Sequence, residues 1–250
     1  MKHILLTAVA LALSVSPAFA DLEVVKKTHT DATKARNKEV PAKDTQTTIW
    51  LTKDRMHIVS DEMTAIVRLD QKKLVLLDDK AKTWTAIDLP FDMKKYLPPE
   101  AAGMIEQMMN KQALTAKVEA KDETKKFGEW NAKRYEITLS QGSKVMSTEV
   151  VWTTKDLKAD ISGFGEMYAS LTSMNPMSKN LATELKKLEG FPVHSERTQT
   201  LPTGGEQKST EDLVSATEKE APAGIYDAPA GYKEKPFDPM SEAGGPHGGK

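Results

Sequence analysis

Methionine is the residue type in this sequence whose spacing suggests chemistry. The chain has 12 methionines and no cysteine, and six of the methionines fall in two segments whose apolar residues recur at helical spacing. A thioether is a soft metal ligand, and a methionine side chain is also an adaptable apolar group. The candidate ligand-binding residues are therefore these six methionines and an isoleucine beside them: Met104, Ile105, Met108, Met109, Met167, Met174 and Met177.

Three interpretations of these residues stay open on the sequence alone. The methionines either fill gaps between helices and a sheet or line a deformable apolar cavity for acyl chains. In the third interpretation Met104, Met108 and Met109, and likewise Met174 and Met177, bind Cu(I) through sulfur. Neither segment contains the histidine that usually accompanies methionine in copper-binding segments. We therefore predict no metal site.

A repeated Trp-x-Thr-Lys-Asp pattern offers a different chemistry. It occurs at residues 50–54 and again at residues 152–156, and its lysine and aspartate could form a catalytic pair. A catalytic lysine needs burial to lower its pKa, whereas each copy stands where an alternating strand is predicted to end. Lysine and aspartate at a strand end are ordinary turn residues, and the tryptophan is a cross-strand packing group. The pattern predicts two strand–turn units.

Other enzyme signals are missing from the sequence. It has no Gly-x-Ser-x-Gly elbow, no phosphate-binding glycine loop and no His-Glu-x-x-His helix. The histidines after the N-terminal segment are His29, His57, His194 and His247, and none is close in sequence to another. We expect a protein that is not an enzyme and has no cofactor, unless the fold brings His57 or His194 to both a serine and an aspartate.

Alternating apolar and polar residues predict the sheet that must position these groups. The connections between the later runs are short and rich in Asp and Lys, so neighbouring strands must be antiparallel and form a meander. Residues Met63, Ala65, Val67 and Leu69 are predicted to share one buried face. The first six predicted strands are Leu22–His29, Thr45–Thr52, Arg55–Ser60, Met63–Leu69, Lys73–Asp78 and Lys82–Leu89.

Two helical segments interrupt the predicted strands. The first follows Pro98 and Pro99 and extends to about residue 112, and the second covers residues 163–188 with a break at Asn175-Pro176. Strands are predicted at 114–121, 132–140 and 144–154, and a closing hairpin at 191–201 and 208–218. The chain is therefore predicted to be mainly β with α inserts, and the Gly- and Pro-rich tail at 236–250 to be disordered.

The first 20 residues indicate export. A lysine precedes an apolar run and Ala18-Phe19-Ala20 ends it, as in a cleaved signal peptide with Asp21 as the mature N-terminus. No cysteine follows for a lipid anchor, and no second apolar run predicts a membrane segment. The net charge of −1 gives no reason to expect a nucleic-acid partner. We predict a periplasmic or secreted protein.

The order of these elements resembles an uncharacterised bacterial exported family related to the LolA/LolB-type periplasmic lipoprotein carriers. The resemblance covers most of residues 22–233. The matching stretches are TIWLTKDRMHI, AIVRLDQKKLVLLDDKAKTWTAIDL, KKFGEWNAKRYEIT, VVWTTKDL, LEGFPVHSE and YDAPAGYK.

The resemblance implies a fold and a function. Residues 21–235 would form a strongly curved antiparallel half-barrel whose concave face is covered by helices, and in the carriers that cavity holds lipoprotein acyl chains. Burial of acyl chain yields about 0.8 kcal/mol per methylene, so an apolar cavity binds lipid without a polar motif. We expect a binding protein for an apolar ligand, either lipid or lipoprotein acyl chains. The alternatives are an envelope interaction or stress-related module without a ligand cavity, and a Cu(I) protein.

Overall fold

The computed structural model describes residues 21–35, 38–98, 100, 103–104, 107, 113–157, 159–173, 180–201 and 205–238. These residues form mainly strands. The strands are β1 Asp21–Thr30, β2 Thr33–Ala35, β3 Lys38–Val40, β4 Lys43–Leu51, β5 Arg55–Val59, β6 Thr64–Arg68, β7 Lys73–Asp78, β8 Thr83–Asp88, β9 Thr115–Phe127, β10 Trp130–Gln141, β11 Lys144–Thr154, β12 Phe191–Thr200, β13 Glu206–Lys219 and β14 Lys233–Glu234.

Among the described residues, helical structure is limited to a few short elements. The α-helices are α1, Phe164–Ser173, and α2, Leu181–Leu185, and short 3-10 turns cover Leu69–Gln71 and Met93–Tyr96. Residues 100, 103, 104 and 107 are also helical, while the rest of the first predicted helical segment lies outside the described residues. None of the helices in the described part of the chain has the length and apolar character needed to cross a membrane.

Twelve of the described strands form one open sheet. Their order is β14-β8-β7-β6-β5-β4-β1-β13-β12-β11-β10-β9, and every neighbouring pair is antiparallel except β14 with β8. The short connections between β4 and β8 permit only antiparallel pairing, so the predicted meander is confirmed there. Strand β1 joins the two halves of the sheet, because it pairs with β4 on one side and β13 on the other.

Both copies of the Trp-x-Thr-Lys-Asp pattern end a strand in a turn. In the first copy the Thr52 hydroxyl accepts the backbone N–H of Asp54 at 3.4 Å and that of Arg55 at 3.1 Å. In the second copy the Thr154 hydroxyl accepts the Asp156 N–H at 3.1 Å. Side-chain oxygens that accept backbone N–H groups a few residues onward are typical of turns. The prediction of two strand–turn units is confirmed.

A glycine lies against the backbone of each of these turns. A side chain at Gly163 would overlap the backbone carbonyl of Lys53, and one at Gly190 would overlap that of Thr154. Gly190 also has a φ of 92°, which side chains disfavour. The two turns therefore serve as packing surfaces for the segments that lead into α1 and β12.

The main core lies between the sheet and the helices. We name the face of the sheet that α1 and α2 contact the inner face. Phe164 and Met167 of α1 are buried there in one cluster with residues of β1, β4–β8, β10, β12 and β13. Leu185 of α2 is buried in a second cluster with Val118 of β9 and Tyr135 of β10, among others.

The opposite face carries a smaller core, which we name the outer cluster. Trp50, Ile66 and Tyr226 are buried in it, so strand β6 is buried on both faces. The prediction that β6 has one buried face, Met63 included, is therefore wrong. Ile66 is only 1% exposed while Met63 is 42% exposed, because the segment after β13 covers the outer face and Met63 precedes the strand.

The segment after β13 is tied to that face by side chains distant in sequence. The Tyr226 hydroxyl donates to Asp21 at 3.0 Å, and the Tyr232 hydroxyl donates to Asp79 at 2.6 Å. Phe237 packs edge-on against Tyr96, with ring centroids 5.0 Å apart. This segment therefore contacts the outer cluster through Tyr226 and the main core through Phe237.

Candidate ligand cavity

A cavity of about 270 Å³ lies between α1, α2 and the inner face of the sheet. Its volume is close to the lower end of the range for small-molecule pockets, roughly 300–1,000 Å³. Strands from both halves of the sheet contribute to its wall. The apolar side chains that line it are Ile49, Met56, Ile58, Ile137, Leu139, Val151, Phe164, Leu181, Leu185, Leu188 and Pro192.

One side of the cavity is polar, and four adjacent strands supply its residues. In the register of these strands Glu149 of β11 stands opposite Arg197 of β12, and Ser195 of β12 stands opposite Glu211 of β13. Lys26 of β1 and Ser147 of β11 complete this side. We name Lys26, Ser147, Glu149, Ser195, Arg197 and Glu211 the polar belt. Because side chains alternate along a strand, these residues share the face that carries the apolar wall.

Lys26 and Glu211 form an ion pair in this belt. The Lys26 Nζ lies 2.6 Å from a carboxylate oxygen of Glu211, and Lys26 as a whole is only 8% exposed. The Thr28 hydroxyl donates to the other oxygen of Glu211 at 3.4 Å, and the Phe191 ring centroid lies 5.3 Å from the lysine nitrogen. The buried Lys26 charge therefore has its counter-charge in Glu211, as a charge in a protein interior requires.

Glu149 and Arg197 are arranged differently. Burial raises the pKa of the Glu149 carboxyl, an effect that the nearby Arg197 and Ser195 oppose. The Nε of Arg197 donates to the Ser147 hydroxyl at 3.3 Å. Arg197 forms no ion pair with any carboxylate in the described part of the chain. The belt therefore combines one ion pair with a guanidinium whose only hydrogen-bonded side-chain partner among the described residues is a hydroxyl.

Tyr168 of α1 stands between the cavity and a more open groove. Burial, together with Glu149 and Glu211, raises the pKa of its phenol, so it stays a neutral donor. Its ring stacks on Phe164 with centroids 5.8 Å apart. The groove has a volume of about 530 Å³ and shares Tyr168, Phe164, Leu185, Leu188 and Pro192 with the cavity wall. The groove between α1 and α2 thus adjoins the cavity along its apolar wall.

The methionines chosen from the sequence occupy different places. Met167 is fully buried in the main core and does not border the cavity. Met104 is 76% exposed, so it does not pack against the sheet. Ile105, Met108, Met109, Met174 and Met177 lie outside the described residues. A ligand-binding role for this set stays a prediction.

The sequence carried a signal for the polar belt that the methionine argument missed. Lys26 is in phase with the buried Leu22 and Val24 of β1, and Glu211 is in phase with the buried Leu213 of β13. A charged residue in the buried phase of a strand marks an interior polar site. Such a charged side chain must find a charged or hydrogen-bonding partner on another strand.

The histidines have local partners that differ from a hydrolase triad. His194 contacts Asp212 through Nδ1 at 2.6 Å and Glu196 through Nε2 at 3.3 Å, and its ring stacks on Phe127. Burial lowers the pKa of His57, which lies on β5 beside the outer cluster. No group of three or more His, Cys, Asp or Glu residues is placed to hold a metal ion within the described ranges.

Comparison with family models places the chain in a family, and a search of solved structures finds distant similarities. A family model described as a domain of unknown function, DUF4412, matches residues 40–232. No protein with a curated description matches the chain. A crystal structure of a LolA superfamily protein from Nitrosomonas europaea is similar with a TM-score of 0.37 and 7% identity, covering 84% of this chain and 91% of that one.

A second solved structure gives a similar result. It is a domain from Vibrio parahaemolyticus described as an outer membrane lipoprotein-sorting protein, with a TM-score of 0.31 and 8% identity over 84% of this chain and 91% of that one. Both structures carry LolA-type or lipoprotein-sorting descriptions.

Proposed function

The chain belongs to the family described as a domain of unknown function, DUF4412, and we propose that it is a binding protein for an apolar ligand, a lipid or the acyl chains of a lipoprotein. The observation that carries this proposal is the cavity between the helices and the inner face. Eleven apolar side chains line it, and a groove between α1 and α2 leads toward it.

The energetics of this cavity favour an acyl chain. Each methylene moved from water into an apolar site contributes about 0.8 kcal/mol. The wall offers aliphatic side chains from β4, β5, β10 and β11 and the aromatic ring of Phe164 from α1. Methionine takes part through Met56, which is in the wall and itself fully buried. We further propose that the sheet curves around this cavity and that α1 and α2 cover its concave face.

The proposal includes the compartment and the absence of catalysis. We infer that residues 1–20 are a cleaved signal peptide and that the protein acts in the periplasm, binding its ligand without converting it. N-terminal sequencing of protein isolated from the periplasm should begin at Asp21. Recovery of a periplasmic form that still carries Met1 would contradict the signal-peptide assignment.

Native mass spectrometry and fluorescence titration test the binding function. Protein purified from the periplasm should carry lipid adducts, and the purified apo protein should take up a fluorescent fatty acid. Leu139→Trp places a larger side chain in the cavity wall and should reduce uptake. Val214→Trp is the matched control, since Val214 is 49% exposed and is not part of that wall.

Three results would decide against the proposal. They are the consistent absence of adducts, no uptake by the wild-type protein, or equal uptake by Leu139→Trp and Val214→Trp. The first two results together would instead favour an interaction module whose inner face is only packed core. Circular dichroism of both variants shows whether either has lost its fold.

A further inference from the structure

The polar belt is the feature of the cavity that an apolar ligand does not explain. Placing Lys26, Glu149, Arg197 and Glu211 beside an apolar wall costs desolvation free energy. A cavity for acyl chains alone would be at least as stable with apolar residues at these positions. The belt is also confined to β1, β11, β12 and β13, whereas β4, β5 and β10 supply mainly apolar wall residues. The cavity therefore has a polar side and an apolar side, like an amphiphile.

The charges of the belt favour one sign of head group. Lys26 and Glu211 neutralise each other at 2.6 Å. Glu149 is the carboxyl opposite Arg197 in register, but no ion pair joins the two, and burial favours the uncharged form of Glu149. Arg197 is near enough to Glu149 to oppose this rise in its pKa, but no carboxylate among the described residues lies within ion-pair distance of the guanidinium.

The guanidinium of Arg197 can also recognise an anion by directional hydrogen bonds. A guanidinium presents its N–H donors in a planar fork that fits a carboxylate or phosphate with two parallel hydrogen bonds. Only the Nε of Arg197 has a side-chain acceptor among the described residues, the Ser147 hydroxyl. The Tyr168 phenol, held neutral beside the belt, is a further donor at the same side of the cavity.

We propose that the ligand of this cavity is a single-chain amphiphile with an anionic head group, whose tail lies against the apolar wall and whose head binds Arg197. This proposal rests on the function proposed above and adds the substrate class to it. A cationic head would be repelled by Arg197, and an uncharged head would give the guanidinium no anionic partner at ion-pair distance. A cavity of about 270 Å³ also suits one chain better than several.

Four probes with the same twelve-carbon tail separate head-group charge from tail burial. Dodecanoate and dodecyl phosphate are anionic, dodecanol is uncharged and dodecylammonium is cationic. The assay measures how well each probe displaces an uncharged apolar fluorophore from the full mature chain. Each charged probe is kept below its critical micelle concentration, and dodecanol is kept below its solubility limit. We expect the wild type to bind at least one anionic probe about tenfold or more tightly than dodecanol, because charge-assisted hydrogen bonds exceed neutral ones by this order. Dodecylammonium should bind most weakly.

The variant Arg197→Gln tests the role of the guanidinium. It should bind dodecanol as the wild type does and lose the preference for the anionic probes. Arg134→Gln is the matched control, because Arg134 pairs with Glu123 and Glu136 away from the cavity. That control should keep the full anionic preference. Unchanged dodecanol binding also reports that Arg197→Gln has kept the cavity intact.

The outcomes separate this proposal from the one on which it rests. Binding of dodecanol with no preference for an anionic probe, or with a preference for dodecylammonium, overturns the head-group assignment and leaves the binding function standing. A preference that survives in Arg197→Gln overturns the role of Arg197. Failure of all four probes to bind the wild type overturns both proposals. If Arg197→Gln does not fold, the order of affinities in the wild type still decides the head-group charge.

Discussion

Replacing Met167 with alanine tests whether the methionine segments contribute to the core or to the ligand site. Met167 is fully buried in the main core, while the cavity wall does not include it. Truncation of a buried methionine to alanine costs about 2–5 kcal/mol, from lost transfer free energy and the cavity left behind. In a chain of this size that loss lowers Tm by about 4–20 °C. Urea denaturation should show a lower midpoint and an unchanged slope.

Met104→Ala is the matched control for this experiment. Met104 is 76% exposed, so its truncation should change the free energy of unfolding by no more than about 0.5 kcal/mol. Dodecanoate should raise the Tm of the wild type and of Met167→Ala by the same amount, because Met167 does not border the cavity. Equal destabilisation by the two substitutions would refute the core placement of Met167. Loss of the dodecanoate effect in Met167→Ala would assign it to the ligand site.

Three further predictions follow from the strand register, a close backbone approach and a buried carboxyl. Val118→Asp should strongly destabilise the fold in a thermal melt, because Val118 is only 6% exposed on β9. The neighbouring Lys117→Asp should have little effect in the same melt. Equal effects of the two substitutions would refute the strand register. Gly163→Ala should lower Tm, because the added methyl group would overlap the Lys53 carbonyl. Gly165→Ala should not lower Tm, because a methyl group there has open space around it. Similar melts for both variants would contradict the close approach of Gly163 to Lys53. Since burial raises the pKa of Glu149, the folded state binds its proton more tightly and loses stability as the pH rises above the unfolded pKa of about 4.3. The stability of Glu149→Gln relative to wild type should therefore increase over that range, and a relative decrease in urea denaturation would show that the shift has the opposite sign.

Local patterns determined the strands of this protein well. The predicted bounds Lys73–Asp78 and 144–154 match β7 and β11, because alternation and turn residues act over a few neighbouring positions. The paired Trp-x-Thr-Lys-Asp turns were predicted for the same reason. The hairpin of β2 and β3 and the short strand β14 were missed. Each of these strands is only two or three residues long, which is too short to show alternation of apolar and polar residues.

The polar belt shows what local patterns cannot give. The sequence marks Lys26 as a charged residue in a buried phase, but its partner Glu211 lies 185 positions away. The sequence of either strand alone does not predict that β1 pairs with β13, or that β12 and β11 lie next to β13 in the sheet. Residue type alone therefore favours the methionines as ligand-binding residues, whereas the polar side of the cavity is formed by residues of four strands.

Alternation and turn residues by themselves predicted most of the strands, the N-terminal segment predicted export, and the quoted stretches carried the family resemblance. Only the tertiary structure decided that β1 joins the two halves of the sheet and that β6 is buried on both faces. It also decided that Arg197 lines the cavity with no carboxylate of the described residues at ion-pair distance. The physical reason is that strand propensity is a property of neighbouring residues, whereas burial and charge pairing depend on the strands that long-range pairing brings together.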